Sequence, residues 1–581
     1  MKKTTRLAGA ALALASVLAA CGGSDGGSSG GGGSTTTAPG GEGSNTTIGG
    51  DVTPTGVLKV GTINGIDSLN PYNYVEASSY NAMLMIFPML VQYKAGSDEF
   101  EGDLASSWEV SADGKEYTFT LNPGTWSDGT PITAADAAWT INTTVKFADD
   151  ATAVSAGAVS HVVEATAPSA DTLVITYDAA VSNVLPQLQT LFILPQHAWE
   201  PIVGADGAGL KTYAPQEQLP IVSGGAYTIE KWEKDGTTVF KANTDFYGPK
   251  SNVEAIALVL YTNEDALLAD LKAGEVDWAD EVPIAAATAL QAEASVVVEE
   301  VPGSQTNNIT WNSNPKKKKN RELLDPKVKR AMSMAIDREG LIEVVYGGHA
   351  VTVESMVGHI SGSWENANLG PLAMDVDAAN AALDELGYLA GSDGVRVVPA
   401  TDDQPEHKMS YEVMVPDSLN FNGKRQFELV ADNMKAIGVD LKLLSGGDAT
   451  AAFAYETGAD CDAAAGTGYA DFDIAMWDWV GYRDPDFMLS VTTKAQWCSW
   501  SDSGYDNPAY DTLYEQQATL IDVAERKKVV DEMQQIIYDD VAYTQLVNMN
   551  MIHAYRSGWT GFQLDLNGYS KRYYTDVRPA G

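Results

Sequence analysis

The stretch MSYEVMVPDSLNFNGKRQFELVADNMKAIGVDLKLL, residues 409–444, changes period twice. Met409 to Val415 alternates as a strand does, and Phe427, Val430, Met434 and Ile437 then recur at helical spacing until Gly438. Val439, Leu441 and Leu443 alternate again. Strand, helix and strand in that order form a β-α-β unit, whose strands run parallel because the crossover is too long for a hairpin. The fold class is therefore α/β. Downstream, Phe472, Ile474 and Met476 add a strand of the same lobe, which leads into Trp477, Trp479 and the turn Gly481-Tyr482-Arg483-Asp484-Pro485. Aromatic rings, charges and a proline turn have no obvious core role there, so this corner is the candidate ligand contact. Trp477 and Trp479 have the same parity and share a face if the strand continues.

Outward from this unit the same alternation of elements continues. Asp325-Pro326 reads as an N-cap followed by proline at the first helical position, with Val328, Ala331, Met332 and Ala335 on one face. Asp337 caps a second helix that Gly347 ends. Glu515 to Tyr538 is mostly helical, and Val541 to Met551 returns as strand. Toward the N-terminus, Val57 to Ile63 reads as a strand, followed by a turn at Asp67–Pro71 and a helical pattern around Tyr80 to Leu90. Trp108–Ser111, the Asp113-Gly114 turn and Tyr117, Phe119 and Leu121 form a hairpin, and Thr133 with Asp136 makes a capping box.

The chain opens with an export pattern: Lys2, Lys3 and Arg6, an apolar run from Leu7 to Leu18, and Leu18-Ala19-Ala20-Cys21. That run is shorter than the ~20 residues a permanent span needs. Leu-Ala-Ala-Cys resembles the lipobox of bacterial lipoproteins, which implies cleavage after residue 20 and lipid on Cys21. Residues 21–53, rich in Gly, Ser and Thr, cannot bury a core and read as a disordered tether. The formal charge of −41 excludes nucleic acid as a partner and favours cationic or zwitterionic ligands over anionic ones. Export to an oxidising compartment leads us to expect a disulfide between Cys461 and Cys498, the remaining cysteines, closing a loop that contains the candidate corner. The six histidines show no metal-ligand spacing, so neither metal nor cofactor is expected. An exported hydrolase is the competing class, but no carboxylate pair is singled out for it by spacing.

Several motifs then occur in a telling order: Leu69-Asn70-Pro71, Leu104–Val110, Asp113–Phe119, Trp126-Ser127-Asp128-Gly129-Thr130-Pro131, Ser223–Tyr227, Leu271–Asp277, Val328–Glu339 and Asp484-Pro485. This order resembles the family 5 extracellular solute-binding proteins, the peptide- and oligopeptide-binding components of ABC importers. The resemblance implies a two-lobed clamp of three domains with two hinge crossings and the ligand between its lobes. Lobe I would comprise 54–92, 212–306 and 546–581; an inserted domain would span 93–211, and the opposite lobe 307–545. It further implies a lipid-anchored, extracytoplasmic monomer that binds a small molecule and works with ABC permease subunits, without enzymatic activity. Short peptides are the expected ligand; an oligosaccharide, or a sensor that does not transport, are the other readings. Relatives pair the ligand's amino group with an Asp in a Trp-x-x-Asp-Tyr-x-[Asp/Glu]-Pro pattern. Here Gly481 stands at that position when the prolines are aligned, so the carboxylate is missing. Candidate ligand contacts are Trp477, Trp479, Gly481, Tyr482, Arg483 and Asp484, with Trp311 in the first crossing and Tyr72 and Tyr74 after the first turn. Asp478 or Asp484 can stand in for the missing Asp, and Lys316–Lys319 reads as a solvated loop.

Overall fold

Strands Ser410–Val415 and Asp440–Ser445 pair in parallel, Ser410 opposite Asp440, with helix Gly423–Lys435 between them. The helix buries Phe427, Val430 and Met434, and Gly438 leaves it with φ +72°, a left-handed conformation that suits a residue without Cβ. Strand Ile474–Val480 joins the same sheet, parallel to Ser410–Val415 and antiparallel to Val296–Trp311. It starts and ends later than the apolar alternation indicates. The hydrogen-bonded ladder with Gln305–Trp311 carries both tryptophans within the strand, so the chain turns only at Gly481.

The computed structural model describes residues 54–94, 97–279, 282–416, 422–445 and 470–562, positions 455, 457, 458 and 461, and residues 575–581. The export segment, the tether and Cys21 lie outside the described residues. The chain divides into two compact units. The first holds the described residues up to Val301 with Thr519–Val523 and Met551–Gly581; the second holds Pro302–Ala518 and Ala524–Asn550.

In the first unit, Val57–Thr62 lies parallel to Ala255–Leu260 on one side and to Trp278–Ala279 on the other. Strands Thr237–Ala242 and Tyr227–Lys231 extend this sheet beyond Ala255–Leu260. Its core combines Leu58, Phe87, Tyr227, Phe240 and Trp278, with helix Ala77–Ile86 supplying Met83 and Ile86. A separate four-stranded sheet runs Ala105–Val110, Glu116–Leu121, Thr172–Tyr177, Val162–Ser169. Tyr117, Phe119 and Leu121 turn inward as the hairpin pattern requires, onto helix Ala134–Lys146. Asp136 accepts the Thr133 backbone N–H at 2.9 Å and so closes the start of that helix.

In the second unit, Asp325 caps helix Pro326–Met334 through the Lys327 N–H (2.9 Å), and Asp337 caps Arg338–Tyr346 through the Gly340 N–H (2.9 Å). Val328, Ala331, Met332 and Ala335 are all buried. Among the described residues no helix is long and apolar enough to cross a membrane.

Candidate functional site

In the antiparallel ladder, Trp479 faces Thr306, Asp478 faces Asn307 and Trp477 faces Asn308. Opposed residues in such a ladder point to the same side, so Trp477 and Trp479 share a face with Thr306, Asn308 and Thr310. Trp477 packs against Met414, Phe472 and Ala475. Trp479 is nearly buried, and its indole N–H donates to Asp502 Oδ2 at 3.3 Å. Three more rings assemble beside it. Phe487 lies 6.1 Å from Trp479, Trp500 lies 5.3 Å from Phe487, and Tyr482 meets Phe487 edge to face at 5.3 Å. Tyr482, Phe487 and Trp500 remain partly exposed.

Asp502 had no sequence signal beyond a polar triplet, Ser501-Asp502-Ser503, set between aromatic residues, which reads as a solvated loop. It is 1% exposed. Oδ1 accepts from the Tyr543 hydroxyl, and Oδ2 from Thr310 Oγ1 at 3.2 Å as well as from the Trp479 indole. Burial pushes this carboxyl up to about 6. Asp478, on the opposite face of the strand, is also pushed up to about 6 by burial, although the Gln305 amide donates to it.

The turn after the strand is held from behind. The Gly481 N–H donates to the Ser304 carbonyl at 2.7 Å, and a Cβ at Gly481 would come within 2.7 Å of Ile360 Cγ2. A side chain there requires buried Ile360 to move, so the position cannot simply take back an Asp. Arg483 is 3% exposed, and the Tyr482 carbonyl accepts from Ser361 Oγ at 2.6 Å. Both oxygens of Asp484 take the Arg526 guanidinium, at 2.6 and 2.9 Å, and Oδ1 also accepts the Asp486 N–H at 3.0 Å. Arg526 in turn donates to Gln517 Oε1 at 2.9 Å and stacks over Trp364 at 4.7 Å. Asp484 is therefore a satisfied half of a buried bidentate pair, which corrects its reading as a spare acceptor for a ligand amine.

Other candidates belong to the packing. Trp311 is fully buried, its indole donating to Thr544 Oγ1 at 2.9 Å inside the second unit, which corrects its assignment to a ligand surface. Tyr72 and Tyr74 lie in the core of the first unit. The Tyr72 hydroxyl bonds Thr144 Oγ1 at 3.0 Å, and burial pushes it up to about 12. The basic run divides: Lys316, Lys318 and Lys319 are exposed, whereas Lys317 is buried and donates to Asp473 Oδ1 at 3.0 Å. Asp473 also takes both Asn320 contacts at 2.9 Å and so ties the start of the Trp-bearing strand to this loop. Cys461 and Cys498 form the expected disulfide, with Cα atoms 5.5 Å apart. It closes a loop around the strand, the turn and Phe487.

The arrangement offers rings and hydrogen-bond acceptors, which suit holding a molecule. Residues 99–497 match the family described as bacterial extracellular solute-binding proteins, family 5, middle region. The chain is 24% identical over 546 residues to the probable D,D-dipeptide-binding periplasmic protein DdpA of Escherichia coli K12, covering 89% of this chain and 93% of that one. It is 22% identical over 530 residues to the dipeptide-binding protein of the same organism, covering 88% and 92%. Among solved structures, HbpA2 from Haemophilus parasuis shares the fold at a TM-score of 0.76 and 19% identity, covering 90% of this chain and 100% of that one. The mixed sheets flanked by helices are of the same α/β class. With a match extending through more than half of its residues, the chain belongs to family 5 of the bacterial extracellular solute-binding proteins.

Proposed function

We propose that this protein captures short peptides outside the cytoplasm and hands them to an ABC permease, anchored to the membrane by lipid on Cys21. The observation that carries the peptide reading is the alignment, over nearly nine tenths of the chain, with two Escherichia coli proteins named for dipeptide binding. The partly exposed rings of Trp477 and Tyr482, with Trp479 behind them, supply platforms for peptide side chains. Gly481 and Asp484 act from behind by fixing the turn. Binding without chemistry requires only that the ligand prefer one conformation, so the protein acts as a receptor and carrier rather than an enzyme.

A ligand that binds the folded state raises the melting temperature. The test is a thermal-shift screen of tripeptide pools beside cello- and xylo-oligosaccharides. Stabilisation by peptides is expected; stabilisation by sugars alone overturns the peptide reading. For the anchor, Cys21→Ala moves the protein from the membrane fraction to the soluble one, and unchanged fractionation removes the lipid from the proposal.

A further inference from the structure

Lys316–Lys319 is the longest basic run in a chain of 78 acidic and 37 basic residues, and eight of those 37 fall within residues 316–330. The fold treats the four lysines unequally. Lys317 turns inward, 3.0 Å from Asp473 and 3.9 Å from Asp471, whereas Lys316, Lys318 and Lys319 are exposed. The backbone that carries them is tied down. The Lys316 N–H donates to Asn314 Oδ1 at 2.9 Å, those of Lys318 and Lys319 to Asp471 Oδ1 at 2.9 and 3.3 Å, and that of Arg321 to Gln404 Oε1 at 3.0 Å. The Arg321 guanidinium donates back to the carbonyls of Pro315 (3.3 Å) and Lys317, closing the loop on itself. All of these groups belong to the second unit.

Such anchoring sets the loop apart from a merely solvated charge run. Like charges on a slack segment splay apart, but here the fixed backbone keeps the exposed ammonium groups side by side. Among the described residues no carboxylate comes within ion-pair distance of Lys318 or Lys319, so their charge is presented to solvent rather than used within the fold. A loop already ordered has little further freedom to lose when a partner covers it. The sign of the patch selects an acidic partner, and the rest of the molecule selects its kind. An anionic bilayer is negative over its whole extent, so approach to it also brings the surplus acidic surface of a chain with net charge −41 against like charge. At a screening length of about 8 Å in 0.15 M salt, that repulsion acts on every acidic group near the contact. An acidic face on a protein can be as small as the loop itself and meet the lysines alone.

We propose that the loop Pro315–Arg321, centred on Lys318 and Lys319 with Lys316 beside them, is a docking surface for an acidic face of a partner protein. Lys317 is the inward anchor of that surface and takes no part in the contact. Exposed ion pairs are individually weak and act mainly on the rate of encounter, which suits a partner that is met and released repeatedly. That the partner is a permease subunit rests on the function proposed above; the docking surface does not.

The test uses the full chain with Cys21→Ala, so that no lipid holds it to a bilayer. It is mixed at about 50 mM NaCl with membrane vesicles from the bacterium that produces it. A water-soluble carbodiimide then joins amines to carboxylates that touch them, and the linked peptides are read by mass spectrometry. Links from Lys318 or Lys319 to an Asp or Glu of a membrane protein are expected. Adding Lys318→Glu and Lys319→Glu is expected to cut sedimentation with the vesicles at least fivefold without moving the melting temperature. Links to a permease subunit uphold both the surface and the partner's identity; links to a different membrane protein uphold the surface and end that identity. Absence of such links, or equal sedimentation with and without the two lysines, overturns the docking surface. Sedimentation with protein-free phosphatidylglycerol vesicles that the two substitutions abolish assigns the loop to lipid and overturns it as well. If the glutamate variant does not fold, Lys318→Gln with Lys319→Gln replaces it, and the links made by the unaltered lysines decide in either case. No arm contains a peptide ligand, so the peptide reading stands or falls separately, by the thermal-shift screen.

Discussion

A carboxyl group taken out of water without a cation keeps its proton to higher pH, and burial pushes both Asp478 and Asp502 up to about 6. The folded chain then binds more protons than the unfolded one between pH ~4 and ~6, so stability falls as pH rises through that window and stays lower above it. A displacement of about two pH units corresponds to roughly 3 kcal/mol per group. The unfolding free energy of Asp502→Asn, measured in urea without ligand, should therefore gain about 2–3 kcal/mol on wild type between pH 4 and pH 7.5. A difference that does not change with pH would show that Asp502 is not held as a buried charge. Asp484 presents the opposite case, because its charge is matched by Arg526 through two hydrogen bonds. Removing one member of a buried pair strands the other, so Arg526→Met should destabilise the protein by about 3–5 kcal/mol. Arg526→Lys restores the charge but not the two-pronged geometry and should fall between wild type and Arg526→Met. Equal stability of all three in urea would mean the pair does not hold the turn.

At the scale of elements, the disulfide and the strand it encloses form one device. The 37-residue separation of Cys461 and Cys498 limits the unfolded chain, which in the chain-entropy model stabilises the fold by about 3.5–4 kcal/mol. Cys461→Ala with Cys498→Ala should lower the unfolding free energy by about 2–4 kcal/mol, read by denaturant titration, while the wild-type protein under reducing conditions behaves alike. No change in either would assign the loop's order to Lys317–Asp473 and Arg526–Asp484 instead. Elements of this kind were legible where their cause is local. The period of residues 409–444 gave the parallel pair, and Asp325, Asp337 and Thr133 announced three helix starts. The site was less legible because its contacts are not local. Thr310 and Asp502 are 192 residues apart, so no window of sequence holds both. Trp311 was expected at the ligand because it lies in the first crossing that the resemblance implies, yet its indole bonds Thr544, 233 residues away. Asp484 looked free because its partner is 42 residues downstream. Lys317 was hidden in a run of like charges, of which only this one turns inward.

Across the whole molecule the decisive quantity is charge. With 78 acidic residues against 37 basic ones, even complete one-to-one pairing leaves 41 acidic groups without a basic counterpart. Two effects of salt compete. Screening weakens surface pairs such as Lys435–Asp432 at 2.8 Å, and it also weakens the mutual repulsion of the surplus carboxylates. Exposed pairs contribute only ~0–1 kcal/mol each, whereas repulsion among the surplus acts between every pair of them within a screening length. That length falls from about 30 Å at 0.01 M to about 8 Å at 0.15 M, so most of the relief comes early in a titration. Repulsion should win, and the melting temperature of unliganded protein at pH 7.5 should rise from 10 to 150 mM NaCl and level off beyond. Tetramethylammonium chloride, whose cation is too bulky and weakly coordinating to occupy a tight carboxylate site, should give the same rise. A rise seen with sodium alone would point to specific ion binding, and a flat or falling curve would show that ion pairs outweigh the surplus charge. The same screening acts on encounter: trilysine should stabilise the protein less at 150 mM than at 10 mM salt, since attraction between unlike charges weakens as the field is screened.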